Sequence, residues 1–209
     1  MAVQGAGTVL RVRRRLLVVP FVLALAAAGC GGGGSHATQK AASKFRGGEL
    51  HPTIAPANFA LRDQSGKLVS LTGQHGHFAI ITFLYTNCPD VCPLIASNLG
   101  QVQRQLAGDG TKVSVLGVSV DPKRDTSAAV RQFIRLHRLS PDFHYLTGTR
   151  AQLAKVWKAY GILVRPGKLD TVDHAAYEML VDPKGRARLI YNPTVKAADV
   201  VHDIKALLS

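Results

Sequence analysis

The chain has 209 residues, 46% of them hydrophobic, and carries a formal charge of +13 at pH 7. That length leaves one domain with a substantial core once an N-terminal address segment is set aside. The basic excess would suit nucleic acid, but the export signal described next argues against that partner and in favour of anionic lipid headgroups.

Arg11, Arg13, Arg14 and Arg15 form a positive region, and an apolar run follows over residues 16–28. The run has the length of a signal-peptide core and is too short to span a bilayer comfortably. Residues 1–29 are therefore expected to be a signal peptide. The stretch Ala27-Ala28-Gly29-Cys30 is similar to the lipobox of bacterial lipoproteins, with Ala27 where Leu is usual, and implies lipid on Cys30. Plain cleavage and an uncleaved anchor are the alternatives, and all three place the domain outside the cytoplasm. Loss of the segment removes four arginines and no acid, taking the charge from +13 to +9. Residues 30–55 are rich in Gly, Ala, Ser and Lys and read as a flexible tether, leaving 56–209 as the domain.

Within the domain, 58–62 and 68–71 flank Asp63-Gln64-Ser65-Gly66 and predict a hairpin. Residues 78–85 form a continuous apolar run, as in a strand covered on both faces. Leu94, Ile95, Leu99, Val102 and Leu106 carry helical spacing over 93–106, stopped at Gly108. A second buried strand spans 112–120, and Asp125 or Thr126 opens an amphipathic helix to His137. A short strand at 143–146, a helix at 149–160 ended by Gly161, strands at 175–181 and 186–191 around Asp182-Pro183-Lys184-Gly185, and a helix at 195–208 complete the chain. Strands alternating with helices give a parallel centre and the hairpins add antiparallel edges. The expected fold class is α/β: a thioredoxin-like domain with a central mixed β-sheet flanked by helices and an N-terminal β-hairpin. Its site would lie at the carboxyl end of a central strand.

Three cysteines are an odd count for an exported chain. With Cys30 assigned to lipid, Cys88 and Cys92 remain as a pair with three residues between them. That offset is too tight for a structural staple, which gains most by closing a long loop. The pair is redox active or grips a metal. Pro93 is at home at a first helical position, so Cys92 is expected at the helix N-cap and Cys88 on the turn before it. Both sulfurs then converge where a helix N-terminus favours thiolate. Two thiolates suit a soft ion such as Cu(I) and leave structural zinc short of ligands. Of the eight histidines, His174 stands out as a third ligand. It precedes the strand at 175–181, in the loop that a thioredoxin-like sheet places beside the cysteine turn. The alternative is a surface or hydrogen-bonded histidine.

The segments 85–93 (Tyr-Thr-Asn-Cys-Pro-Asp-Val-Cys-Pro), 119–126, Leu146-Thr147-Gly148 and Asp173-His174 resemble the SCO/SenC family, in order and at matching spacing, from about Pro56 to the C-terminus. The resemblance implies a membrane-anchored metallochaperone binding copper, as Cu(I) or Cu(II), through Cys88, Cys92 and His174. Its partner would be cytochrome c oxidase subunit II, whose dinuclear copper centre it helps to assemble, or another copper acceptor protein. Asn87 stands where many relatives have His, and Leu94 where Thr is common.

Two acids belong to the surroundings of this site. Asp121, at the end of the second central strand, orients a ligand or steers a partner, or is ordinary Asp-Pro turn chemistry. Asp173 polarises His174 or caps the loop. Trp157 and Tyr160 lie at core spacing and are expected to pack. The competing function is a thiol–disulfide oxidoreductase that reduces the cysteines of the acceptor, because exchange also needs a thiolate. Three intervening residues and the placed histidine favour metal binding. A peroxidase of the peroxiredoxin kind is disfavoured by Tyr85, where those enzymes have Thr. The chain is expected to be a monomer.

Overall fold

A computed structural model describes residues 43–168 and 171–209. The signal segment at 1–29, Cys30 and the tether up to residue 42 lie outside the described residues. The strands and helices run β1 (Gly48–Ile54), β2 (Ala60–Arg62), β3 (Leu68–Ser70), β4 (Phe78–Leu84), α1 (Val91–Ala107), β5 (Val113–Ser119), α2 (Ser127–Leu136), β6 (Phe143–Leu146), α3 (Arg150–Ala159), β7 (Val164–Pro166), β8 (Val172–His174), β9 (Glu178–Val181), β10 (Ala187–Tyr191) and α4 (Ala197–Leu208). Six strands form one sheet in the order β1-β10-β9-β4-β5-β6, while β2-β3 and β7-β8 are separate two-stranded ribbons.

The centre is parallel because helices make the crossovers: β4 pairs in parallel with β5, and β5 with β6. β9 adds antiparallel to the other side of β4, followed by β10 and β1. All seven residues of β4 and all seven of β5 are buried, as strands covered on both faces must be. Phe83 of β4 meets Tyr160 at 5.7 Å between ring centroids, and α1 packs on α4. This is the mixed, helix-flanked sheet of a thioredoxin-like domain, with the ribbon β2-β3 as its early hairpin.

Three local expectations change. The first concerns β1, which falls inside the stretch read as tether. It is an edge strand with mostly exposed residues, so its side chains carry no alternating apolar signal. Pro52 is tolerated there because an edge strand need not donate on its open side. The second concerns α1, which begins at Val91 after an N-cap at Asp90. Pro93 therefore sits in the first turn, where its missing N–H has no intrahelical partner to lose, and Cys92 is a helical residue instead of the cap. The third concerns the region before β9. The strand expected at 175–181 starts only at Glu178, and His174 ends β8, which pairs with β7.

Candidate metal site

The turn between β4 and α1 presents the two cysteines. Cys88 is half-buried and Cys92 is fully buried, and both are free thiols. Asp90 has no side-chain bond to the first turn of α1. Instead, the backbone N–H groups of Cys92 and Asp90 donate to the Cys88 sulfur, so this sulfur satisfies donors that the helix leaves open. Hydrogen bonding from the Cys92 thiol is the main cause that pushes the Cys88 thiol far below its ordinary range; burial opposes it, and the Tyr85 hydroxyl adds to it. Cys92 moves the opposite way, raised by its bond to Cys88 and by burial. One proton thus resides on the inner sulfur, and the outer one is a thiolate. The helix terminus favours thiolate as expected, and Cys88 is the sulfur that carries it.

Cys88 opens onto a cavity of about 330 Å³ lined also by Tyr85, Asp90, Val172, Asp173 and His174. The Nδ1–H of His174 donates to the Ala175 carbonyl at 2.9 Å, leaving Nε2 with its lone pair free. Such an anchored ring nitrogen is what a metal-binding histidine needs to fix its tautomer. Among the described residues, no three histidine, cysteine or carboxylate side chains already form a cage. The donor set of a thiolate, a second thiol directly behind it and an imidazole across the cavity nevertheless suits a soft ion.

Asp173 lines this cavity and is exposed, but the imidazole is anchored by a carbonyl and not by this carboxylate. Asp121 does not reach the cavity. It is buried at the end of β5, paired with Arg124 at 2.7 Å, and lines a separate basic cleft with Lys123, Arg150 and Arg165. Its carbonyl accepts from the N–H groups of Arg124 and Asp125, closing a turn after β5. Asn87 faces another cavity on the α2 side, so its departure from the family pattern lies away from the imidazole. Trp157 and Tyr160 pack in the core, each with one bond to a backbone carbonyl.

Two residues that the sequence did not single out for the site support it. Asp125 is buried and accepts from the Thr86 N–H at 2.8 Å, the Thr86 hydroxyl at 2.7 Å, the Tyr145 hydroxyl at 2.9 Å and the Ser119 hydroxyl. It fixes the cysteine turn to the ends of β5 and β6. Burial, outweighing these bonds, raises its carboxyl. In the sequence it looked only like a helix cap, and its partners come from three segments, 6, 20 and 39 residues away. Tyr85, in the same cavity as Cys88 and His174, is the second.

The SCO1/SenC family model matches residues 49–209. The mitochondrial protein SCO2 homolog of Bos taurus is 30% identical over 220 aligned residues, covering 97% of this chain and 76% of that protein. The structure of Bradyrhizobium japonicum ScoI with copper bound is 33% identical, has a TM-score of 0.64 and covers 73% of this chain and 99% of that one. The structure of BsSco, described as having a disulfide switch and as a member of the Sco family of cytochrome c oxidase assembly proteins, is 26% identical. Its TM-score is 0.63, with 74% of this chain and 94% of that one covered.

Proposed function

Because the chain belongs to the SCO1/SenC family, we propose that it is a copper metallochaperone that serves assembly of the dinuclear copper centre of cytochrome c oxidase subunit II. The observation that carries this reading is the meeting of the Cys88 thiolate, backed by Cys92, with His174 across one cavity. The ligands are Cys88, Cys92 and His174. Copper is the cargo, a soft ion that accepts sulfur and imidazole donors. Cys88 meets it first as a ready thiolate at the cavity surface. Cys92 then releases its proton as its sulfur joins, and His174 offers Nε2. Delivery proceeds by ligand exchange with cysteines of the acceptor docked over the cavity. Lipid on Cys30 holds the domain outside the cytoplasm, at the membrane where the acceptor resides. Among the described residues, no helix is long and apolar enough to cross a bilayer.

A second reading has its own support. A half-buried thiolate with a fully buried thiol behind it is also the arrangement of an attacking and a resolving cysteine, so the pair is suited to reducing the acceptor's cysteines. Copper titration of the full chain, reduced and then oxidised, separates the two. Tight one-to-one binding that is lost in Cys88→Ser, Cys92→Ser and the disulfide form, and weakened in His174→Ala, establishes the carrier. Absent binding with rapid disulfide exchange establishes the reductase.

A further inference from the structure

The hairpin that carries His174 is not part of the main sheet. β7 and β8 bond only to each other as strands, and neither extends the ladder of β4 or β9. Where His174 stands relative to the cysteines must therefore be set by contacts other than sheet register. Beside the packing of Val164 and Val172 on the core, one set of these contacts comes from Tyr85. It follows β4 directly, is 3% exposed, and lines the same cavity as Cys88 and His174. Its ring lies edge-on to the imidazole, with centroids 6.0 Å apart and planes at 77°. Its hydroxyl accepts the N–H of Val172 at 3.3 Å, two residues before His174, and also hydrogen-bonds the Cys88 sulfur. A phenol hydroxyl has one proton and two lone pairs, so it donates to sulfur and accepts from the amide at the same time.

We propose that Tyr85 is a positioning residue whose hydroxyl ties the β7-β8 hairpin, and with it His174, to the Cys88 sulfur. The proposal rests on the copper reading for its consequence, though not for its geometry. The hydroxyl thus holds the third ligand near the first before any ion arrives, reducing the ordering that binding would otherwise demand.

Tyr85→Phe tests this, because it keeps the ring, the edge-on contact and the packing and removes only the hydroxyl. In the full chain, the Val172 amide should exchange with solvent faster. Cu(I) affinity, measured against a competing Cu(I) chelator, should fall about tenfold. In a His174→Ala background the same substitution should have little further effect, since no ligand is left to position; this non-additivity is what a merely structural role would not produce. An equal loss with and without His174, or unchanged exchange at Val172, overturns the proposal. Should the unsubstituted chain bind no copper, the metallochaperone reading falls, and Val172 exchange alone then supports or overturns the tether.

Discussion

The Cys88–Cys92 pair behaves as two different residues because only one of its sulfurs faces solvent. Cys88 takes hydrogen bonds from the Cys92 thiol, two backbone amides and Tyr85, all of which stabilise negative charge, while Cys92 is buried with no exposed surface. Limited alkylation at neutral pH is therefore expected to modify Cys88 and spare Cys92, with peptide mapping as the readout. In Cys92→Ala the main donor is gone, and the alkylation rate of Cys88 should drop. Equal labelling of both cysteines would contradict the asymmetry. The residue types and their spacing pointed to this chemistry, but which sulfur carries the charge depends on where α1 begins. The cap lies at Asp90, two residues before the expected Cys92, and the open N–H groups of that turn reach the Cys88 sulfur.

At the scale of elements, the junction of β4 and β9 holds a buried acid. Glu178 is 1% exposed, sits opposite Thr82 in register, and burial pushes its carboxyl up to about 8. Among the described residues, neither carboxyl oxygen of Glu178 nor the Thr82 hydroxyl finds a hydrogen-bond partner. Because the folded value lies above the unfolded one, the fold binds this proton more tightly than the unfolded chain. The favourable contribution is complete below the ordinary carboxylate range and is lost as pH rises through about 8. Urea unfolding from pH 5 to 9 should show stability falling across that window, and Glu178→Gln should flatten the fall. Identical profiles would show that Glu178 does not titrate as its burial dictates. No periodicity marks this residue, because in sequence Glu178 is one polar residue in the middle of the strand expected at 175–181. Its isolation comes from β4 on one side and β10 on the other.

For the whole molecule, the decisive long-range connection is between the two ends of the described chain. Asp203 of α4 has no exposed surface and accepts the Arg46 N–H at 2.8 Å, the Gly47 N–H at 2.8 Å and the Tyr191 hydroxyl at 3.1 Å. It pins the entry to β1 against α4 and β10. A chain beginning at Pro56 would lack both amides and the edge strand, leaving the buried carboxylate short of donors. Its stability should be lower than that of a chain beginning at Ser43 by about 3 kcal/mol, read from urea unfolding. Equal stability would return residues 43–55 to the role of a tether.

The sequence by itself determined the order of elements in the core, the fold class they compose and the cysteine pair. Those features are written locally: continuous apolar runs for β4 and β5, helical spacing for α1, Thr126 and Thr149 as caps, and glycine or Asp-Pro turns between them. Only the tertiary structure decided the rest. β1 became visible through its pairing with β10, since an exposed edge strand has no apolar pattern of its own. Asp121 pairs with Arg124 outside the cysteine cavity, while Asp125 draws donors from β5, β6 and the cysteine turn. The place of His174 beside Cys88 depends on a hairpin outside the main sheet and on the Tyr85 hydroxyl. The physical reason is the same in each case: burial and hydrogen bonding are properties of what surrounds a side chain, and those surroundings are assembled from segments up to 157 residues apart.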